Sequence, residues 1–246
     1  MIVIACPGQG AQTPGFLAPW LELPTFADSL TLMQEASGID LKSHGTISDA
    51  DTIRDTAVAQ PLIVAAGVAC VSALFDGKSP KSQGIAGVAG HSVGEITAAV
   101  TAGIFSSEDG IKFVRERGNA MAKAAALETT SMAAVLGGDE AIVLARLAEL
   151  DLTPANYNGG GQIVAAGSLD GIAKLQAEPL EGTKVIPLQV AGAFHTSYME
   201  PAVAALSEFA ASLEVRDPGV KIWTNSNGTT IASGADYLAS LVSQVS

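Results

Sequence analysis

Basic residues are scarce in this chain. Thirteen lysines and arginines stand against 25 aspartates and glutamates, giving a formal net charge of −12 over 246 residues. Binding nucleic acid needs a basic footprint that displaces counterions from phosphate, and this balance excludes it. Long apolar runs are missing as well. Hydrophobic residues make up 48% of the chain, but they are interrupted everywhere, and no run approaches the ~18 uninterrupted apolar residues of a membrane span. No association with a membrane is expected. The opening Met1-Ile2-Val3-Ile4-Ala5-Cys6 has neither a basic leader nor a long apolar stretch, so it reads as a strand and not as a signal peptide. Two cysteines, Cys6 and Cys70, sit inside apolar segments. They read as buried thiols of a reducing, cytoplasmic compartment, not as a disulfide framework.

Internal repeats, low-complexity tracts and long linkers are also absent, which leaves one domain, or one domain with an insert. The first strand ends at Pro7-Gly8-Gln9-Gly10. Phe26, Leu30 and Met33 recur at helical spacing up to Gly38. Residues 60–75 are apolar on nearly every side, as in a buried helix. Ile85–Ala89 reads as a central strand leading into an alanine-rich helix, and Ser107 as the N-cap of the next helix, with Glu108 and Asp109 at its positive end. Alternation of this kind predicts a largely parallel sheet covered on both faces.

From about residue 124 the pattern changes. Met132–Leu136, Pro154–Tyr157, Gln162–Ala166 and Lys184–Val190 read as strands, and Glu140–Leu150 and Leu169–Gln176 as helices. That order is βαββαβ, the ferredoxin-like unit. The fold class is therefore α/β, a hydrolase-like, mostly parallel sheet subdomain (1–123 and 191–246) interrupted by a ferredoxin-like subdomain (124–190). After the insert, Val203, Leu206, Phe209 and Leu213 mark another helix and Val220–Thr224 another strand.

Gly90-His91-Ser92-Val93-Gly94 has the form of a nucleophile elbow, whose glycines permit a strained strand-to-helix turn that lifts the serine hydroxyl clear of the sheet. The same turn sets the Val93 amide and a helix N-terminus beside an attacked carbonyl. A base for Ser92 must come from three histidines. His44 lies in a polar, loop-like stretch, and the chain at His91 turns its ring away from the neighbouring serine. His195, in Gly192-Ala193-Phe194-His195, is the one left. Asp109, Asp139, Asp151 and Asp170 all fall between Ser92 and His195, so a serine esterase or thioesterase of the α/β-hydrolase type stays open. Val114, Arg117 and Met121 share one helix face. Arg117 is then either a cation at the edge of an apolar stripe, snorkelling to water or pairing with a carboxylate of the protein, or a pocket cation that grips a substrate carboxylate through paired hydrogen bonds.

Together these segments resemble the bacterial malonyl-coenzyme A:acyl carrier protein transacylases of fatty-acid synthesis. The likeness rests on Pro7-Gly8-Gln9-Gly10-Ala11-Gln12, Gly90–Glu95, Arg117-Gly118 with Met121, Asn156-Tyr157-Asn158 followed by Gly161–Gly167, and Gly192–His195, in the family's order along the whole chain. The resemblance implies that Ser92 is the acylated nucleophile and His195 its base, and that the amides of Gln9 and Val93 form the oxyanion hole. It implies further that Arg117 holds the malonyl carboxylate, with Met121 and Phe194 also lining the acyl site. Phe194 fills the position where related polyketide acyltransferases distinguish malonyl from methylmalonyl. Gln244 matches the glutamine whose main-chain carbonyl orients the histidine. The implied partners are malonyl-coenzyme A as substrate and an acyl carrier protein, with no metal or other cofactor, acting as a monomer. An acidic carrier would need a local basic patch on this acidic chain. The family's pattern also runs on past the glutamine, so a longer native chain is expected.

Overall fold

The computed structural model describes residues 2–190 and 192–246. Met1, at the head of the expected first strand, and Ala191, at an expected domain junction, lie outside the described residues. The elements in chain order are β1 (Val3–Cys6), α1 (Pro24–Ser37), α2 (Leu41–Thr46), α3 (Thr56–Leu74), β2 (Gly87–Gly90), α4 (Gly94–Ala102) and α5 (Ser107–Ala125). There follow β3 (Thr130–Gly137), α6 (Glu140–Glu149), β4 (Thr153–Gly159), β5 (Gln162–Ser168), α7 (Leu169–Ala177), β6 (Thr183–Pro187), α8 (Glu200–Ala210), β7 (Lys221–Trp223) and α9 (Gly234–Ser243). Two compact units result, one from Met1–Asn119 with Ala205–Gln244, the other from Ala120–Ala204 with Val245–Ser246.

The larger unit is built on a parallel sheet of order β1-β2-β7. Val3 pairs with Gly87 and Val88 with Ile222, so β2 is central, as its short apolar sequence suggests. Helix α4 packs across all three strands, and α3 packs on α1 and α4. Gly38 closes α1 in a left-handed conformation, φ 69°. Helix α3 is long and apolar enough to cross a membrane by length and composition. Its residues from Ala59 to Ala66 are all buried within the protein, which accounts for that apolarity.

The smaller unit is an antiparallel sheet of order β4-β5-β3-β6 with α6 and α7 contributed between its strands. Ala133, Val135, Ile163 and Ala165 of the sheet pack with Val143, Leu147, Ile172 and Leu175 of these helices into one core. At ~25 cal/mol per Å² of apolar area, such interlocked burial is what holds a sheet of this size.

Several local expectations shift. Helix α5 is capped by Ser106, not Ser107, since the Ser106 Oγ accepts the Asp109 amide at 3.0 Å. Strand β6 stops at Pro187, which has no N–H to offer the ladder; one further bond, from the Leu188 amide to the Met132 carbonyl (2.9 Å), ends the pairing. His44 lies on α2 and not in a loop, half-buried, with its Nδ1 3.0 Å from the Ser48 Oγ.

Candidate active site

Ser92 stands in the connection from β2 to α4 with φ 50°, in the left-handed region that non-glycine residues rarely enter. The flanking glycines make the turn possible. A Cβ at Gly90 would strike the Gly94 and Glu95 backbone, and one at Gly94 the carbonyls of Cys6 and Pro7. Backbone atoms have nowhere to yield, so both positions demand glycine. The turn is pinned by hydrogen bonds from the His91 amide to the Cys6 carbonyl (3.0 Å) and from the Gly94 and Glu95 amides to the His91 and Ser92 carbonyls (2.9 and 3.0 Å). The Ser92 amide itself donates to Asn225 Oδ1 at 2.7 Å. Val93, fully buried, is the N-cap residue of α4, so the positive end of that helix opens beside the serine. Gln9, in the turn after β1, is half-buried, and its Nε2 reaches Thr56 Oγ1 at 3.5 Å.

Behind the serine lies a buried polar network. Arg117 is 0% exposed. Its Nη1 donates to Gln60 Oε1 at 2.7 Å and its Nη2 to Gln244 Oε1 at 2.8 Å, while the Nε–H has no acceptor among the described residues. Of the sequence readings for this residue, snorkelling to water is thereby removed. Burial lowers the guanidinium to about 10, against the pull of Glu95. Glu95, 1% exposed, forms no ion pair with Arg117 among the described residues. It accepts from the Asn225 amide (2.6 Å) and the Tyr237 hydroxyl (3.2 Å) on Oε1 and from Gln244 Nε2 on Oε2. Burial raises this carboxyl, offset in part by hydrogen bonds from the Asn225 amide and the Tyr237 and Thr224 side chains and by the charge of Arg117. The Gln244 side chain thus stands between cation and anion. Val114 and Met121, the other members of the α5 stripe, are buried as well.

In the smaller unit the Gly192–Thr196 turn presents His195 at φ 61°. The Ala193 amide donates to Thr130 Oγ1 (2.8 Å), the Thr196 hydroxyl to the Ala193 carbonyl (2.6 Å), and the His195 amide to the Val245 carbonyl (3.1 Å). Phe194 is buried at 5% exposure. Among the described residues four non-glycines have positive φ: Asp76, Ser92, Asp151 and His195. Asp and His enter that region more readily than most residues; Ser held there by surrounding bonds is strained, and strain of this kind gathers at functional sites.

The acidic candidates for a triad fare differently. Asp139 caps α6 through the Ala141 and Ile142 amides, and Asp109 is engaged with the Ser106 hydroxyl at 2.6 Å. Asp151 and Asp170 are exposed. The residues that sequence reasoning passed over are Gln60, Glu95, Asn225 and Tyr237. Only Glu95 carried a signal, a carboxylate in an otherwise apolar helix start, Gly-Glu-Ile-Thr-Ala-Ala.

Comparison with known proteins agrees with this chemistry. The model of the acyl transferase domain family matches residues 3–236. The malonyl CoA-acyl carrier protein transacylase of Mycobacterium tuberculosis is 46% identical over 245 residues, which is 100% of this chain and 81% of that protein. The crystal structure of MCAT from Mycobacterium tuberculosis superposes with a TM-score of 0.95, at 46% identity, over 100% of this chain and 81% of that one. A malonyl-transacylase solved in complex with a type II PKS acyl-carrier protein gives a TM-score of 0.91 at 25% identity, covering 99% of this chain and 80% of that one. A serine elbow, a buried arginine and a match of this extent lead to one assignment: the chain belongs to the acyl transferase domain family, among its malonyl CoA-acyl carrier protein transacylases.

Proposed function

We propose that the chain transfers a malonyl group from malonyl-coenzyme A to the phosphopantetheine thiol of an acyl carrier protein, by way of a malonyl ester on Ser92. The observation that carries this reading is Arg117. A buried guanidinium is costly to keep, and here it retains an uncommitted Nε–H in the same unit as the strained serine. Guanidinium offers five N–H donors, two of which are seen in use, so a carboxylate can still be taken side-on. An esterase for neutral acyl groups has no use for such a cation; a malonyl thioester brings a carboxylate to it.

In the cycle, His195 accepts the Ser92 proton as Oγ attacks the thioester carbon. The amides of Val93 and Gln9 take the oxyanion, a contribution of about 3–4 kcal/mol per donor in comparable sites. The C–S bond breaks, and coenzyme A leaves with the proton that His195 held. The carrier's thiol then gives its proton to His195, attacks the malonyl-serine, and Ser92 recovers its hydrogen. The main-chain carbonyl of Gln244 orients the imidazole in this scheme, in place of a triad carboxylate. Met121 and Phe194, both buried, line the acyl site, Phe194 disfavouring an α-methyl substituent.

We infer from strand order that the smaller unit is ferredoxin-like and the larger one hydrolase-like. Two free cysteines suit the reducing cytoplasm, and a monomer with a local basic docking patch suits an acidic carrier. Intact mass after incubation with malonyl-coenzyme A tests the function. One malonyl adduct is expected on the wild type, released by a pantetheine thiol and absent from Ser92→Ala. Steady release of free malonate to water, with the thiol making no difference, would assign hydrolysis instead.

A further inference from the structure

Tyr237, Asn225 and Gln244 converge on one carboxylate that the transfer reaction never touches. Glu95 is buried at 1% exposure and takes donors from all three, with the Thr224 side chain a further one, yet among the described residues it forms no direct ion pair with the buried Arg117. Resting on the malonyl-transfer reading, we propose that Glu95 is a positioning residue that sets both the nucleophile turn and the substrate cation. It acts through Asn225 on the Ser92 amide and through Gln244 on Arg117.

The argument turns on amide polarity. A primary amide has one donor end and one acceptor end, and nothing in its shape decides which way it faces. With Gln244 Nε2 committed to Glu95, its Oε1 must face Arg117 Nη2, where it is found at 2.8 Å. Without the carboxylate the NH2 end loses its acceptor: Arg117, which has only donors, still calls for the oxygen, but the amide is no longer held from both sides. Asn225 is held differently. Glu95 accepts its backbone N–H at 2.6 Å and so fixes the main chain from which Oδ1 accepts the Ser92 amide at 2.7 Å, bracing a residue held at φ 50°.

Placing a neutral amide between the two charges has a second effect. A direct Arg–Glu fork would use the parallel N–H groups that a malonyl carboxylate needs. Held one amide away, Glu95 still compensates the buried charge, and the Nε–H stays uncommitted.

Initial rates with malonyl- and acetyl-coenzyme A, and the rate of Ser92 acylation by mass, test this in Glu95→Gln, Gln244→Met and Asn225→Ala, with thermal unfolding run beside them. Glu95→Gln and Gln244→Met should each lower the malonyl-to-acetyl ratio of kcat/KM by about tenfold or more, the scale of a hydrogen bond to a charged group. Gln244→Met leaves the main-chain carbonyl in place, so a lost ratio reports the side chain. Asn225→Ala should slow acylation by both substrates equally and leave the ratio alone. A general loss of structure would move stability and both substrates together, not the ratio. If Glu95→Gln does not fold, the other two variants decide: a wild-type ratio in Gln244→Met, or unchanged acylation in Asn225→Ala, overturns the proposal. A wild type that forms no malonyl-serine sinks the transfer reading instead. In that case slower labelling of Ser92 in Asn225→Ala by a neutral fluorophosphonate still tests the elbow arm.

Discussion

Replacing Arg117 by methionine removes a buried charge while keeping much of its length. The guanidinium is fully buried and donates to two amide oxygens, at 2.7 and 2.8 Å. Hydrogen bonds from a charged donor contribute about 1.5–3 kcal/mol each, and the added apolar burial of methionine offsets part of their loss. The net cost should be about 3–5 kcal/mol, the scale of removing one member of a buried charge network, out of the ~5–15 kcal/mol of a typical domain. The cost should also depend on pH. Burial already raises Glu95 above its ordinary 4.5, and Arg117 is one of the influences that lower it, so the variant's carboxyl must rise further. A carboxyl whose folded value is raised contributes its stability in full below the unfolded value and loses it as pH climbs through the folded one. The deficit against wild type should therefore be smallest near pH 4.5 and widen toward neutrality. Urea midpoints of both proteins at pH 5 and pH 8 measure it. A deficit equal at the two pH values, or one under about 1 kcal/mol, would refute a charge-coupled network around Glu95.

Gly94→Ala should destabilise by about 1–3 kcal/mol and slow Ser92 acylation, because the new methyl meets the immovable Cys6 and Pro7 carbonyls; calorimetry with stopped-flow acylation checks both. Phe194→Ala should admit methylmalonyl-coenzyme A as a donor while costing about 3–5 kcal/mol of stability, read from the methylmalonyl-to-malonyl rate ratio and an unfolding curve. Cys70, only partly buried, should be alkylated by iodoacetamide well before Cys6, whose thiol burial pushes up to about 12; peptide mapping that finds Cys6 modified first in the native state would contradict the packing of β1.

Periodicity sufficed wherever burial repeats along the chain. The α1 stripe of Phe26, Leu30 and Met33, the apolar α3 and the βαββαβ order of the smaller unit all appear as read. It failed where a single hydrogen bond decides an end. Ser106 and Ser107 are equal as letters, and only the Asp109 amide chooses between them. The site divides along the same line. Ser92 was legible because its turn needs two glycines at fixed offsets, and Arg117 because a charge interrupted an apolar stripe. Asn225, Gln60 and Tyr237 were not, since a residue that accepts or donates one bond across more than fifty positions of chain leaves no local pattern. Glu95 is the exception that follows from physics. A carboxylate opening a helix of alanine, isoleucine and valine must be buried with it, and a buried carboxylate must find donors. The donors it found are the residues that fix the serine and the arginine, so the one unexplained charge in the motif marks where the site's polar network is tied together.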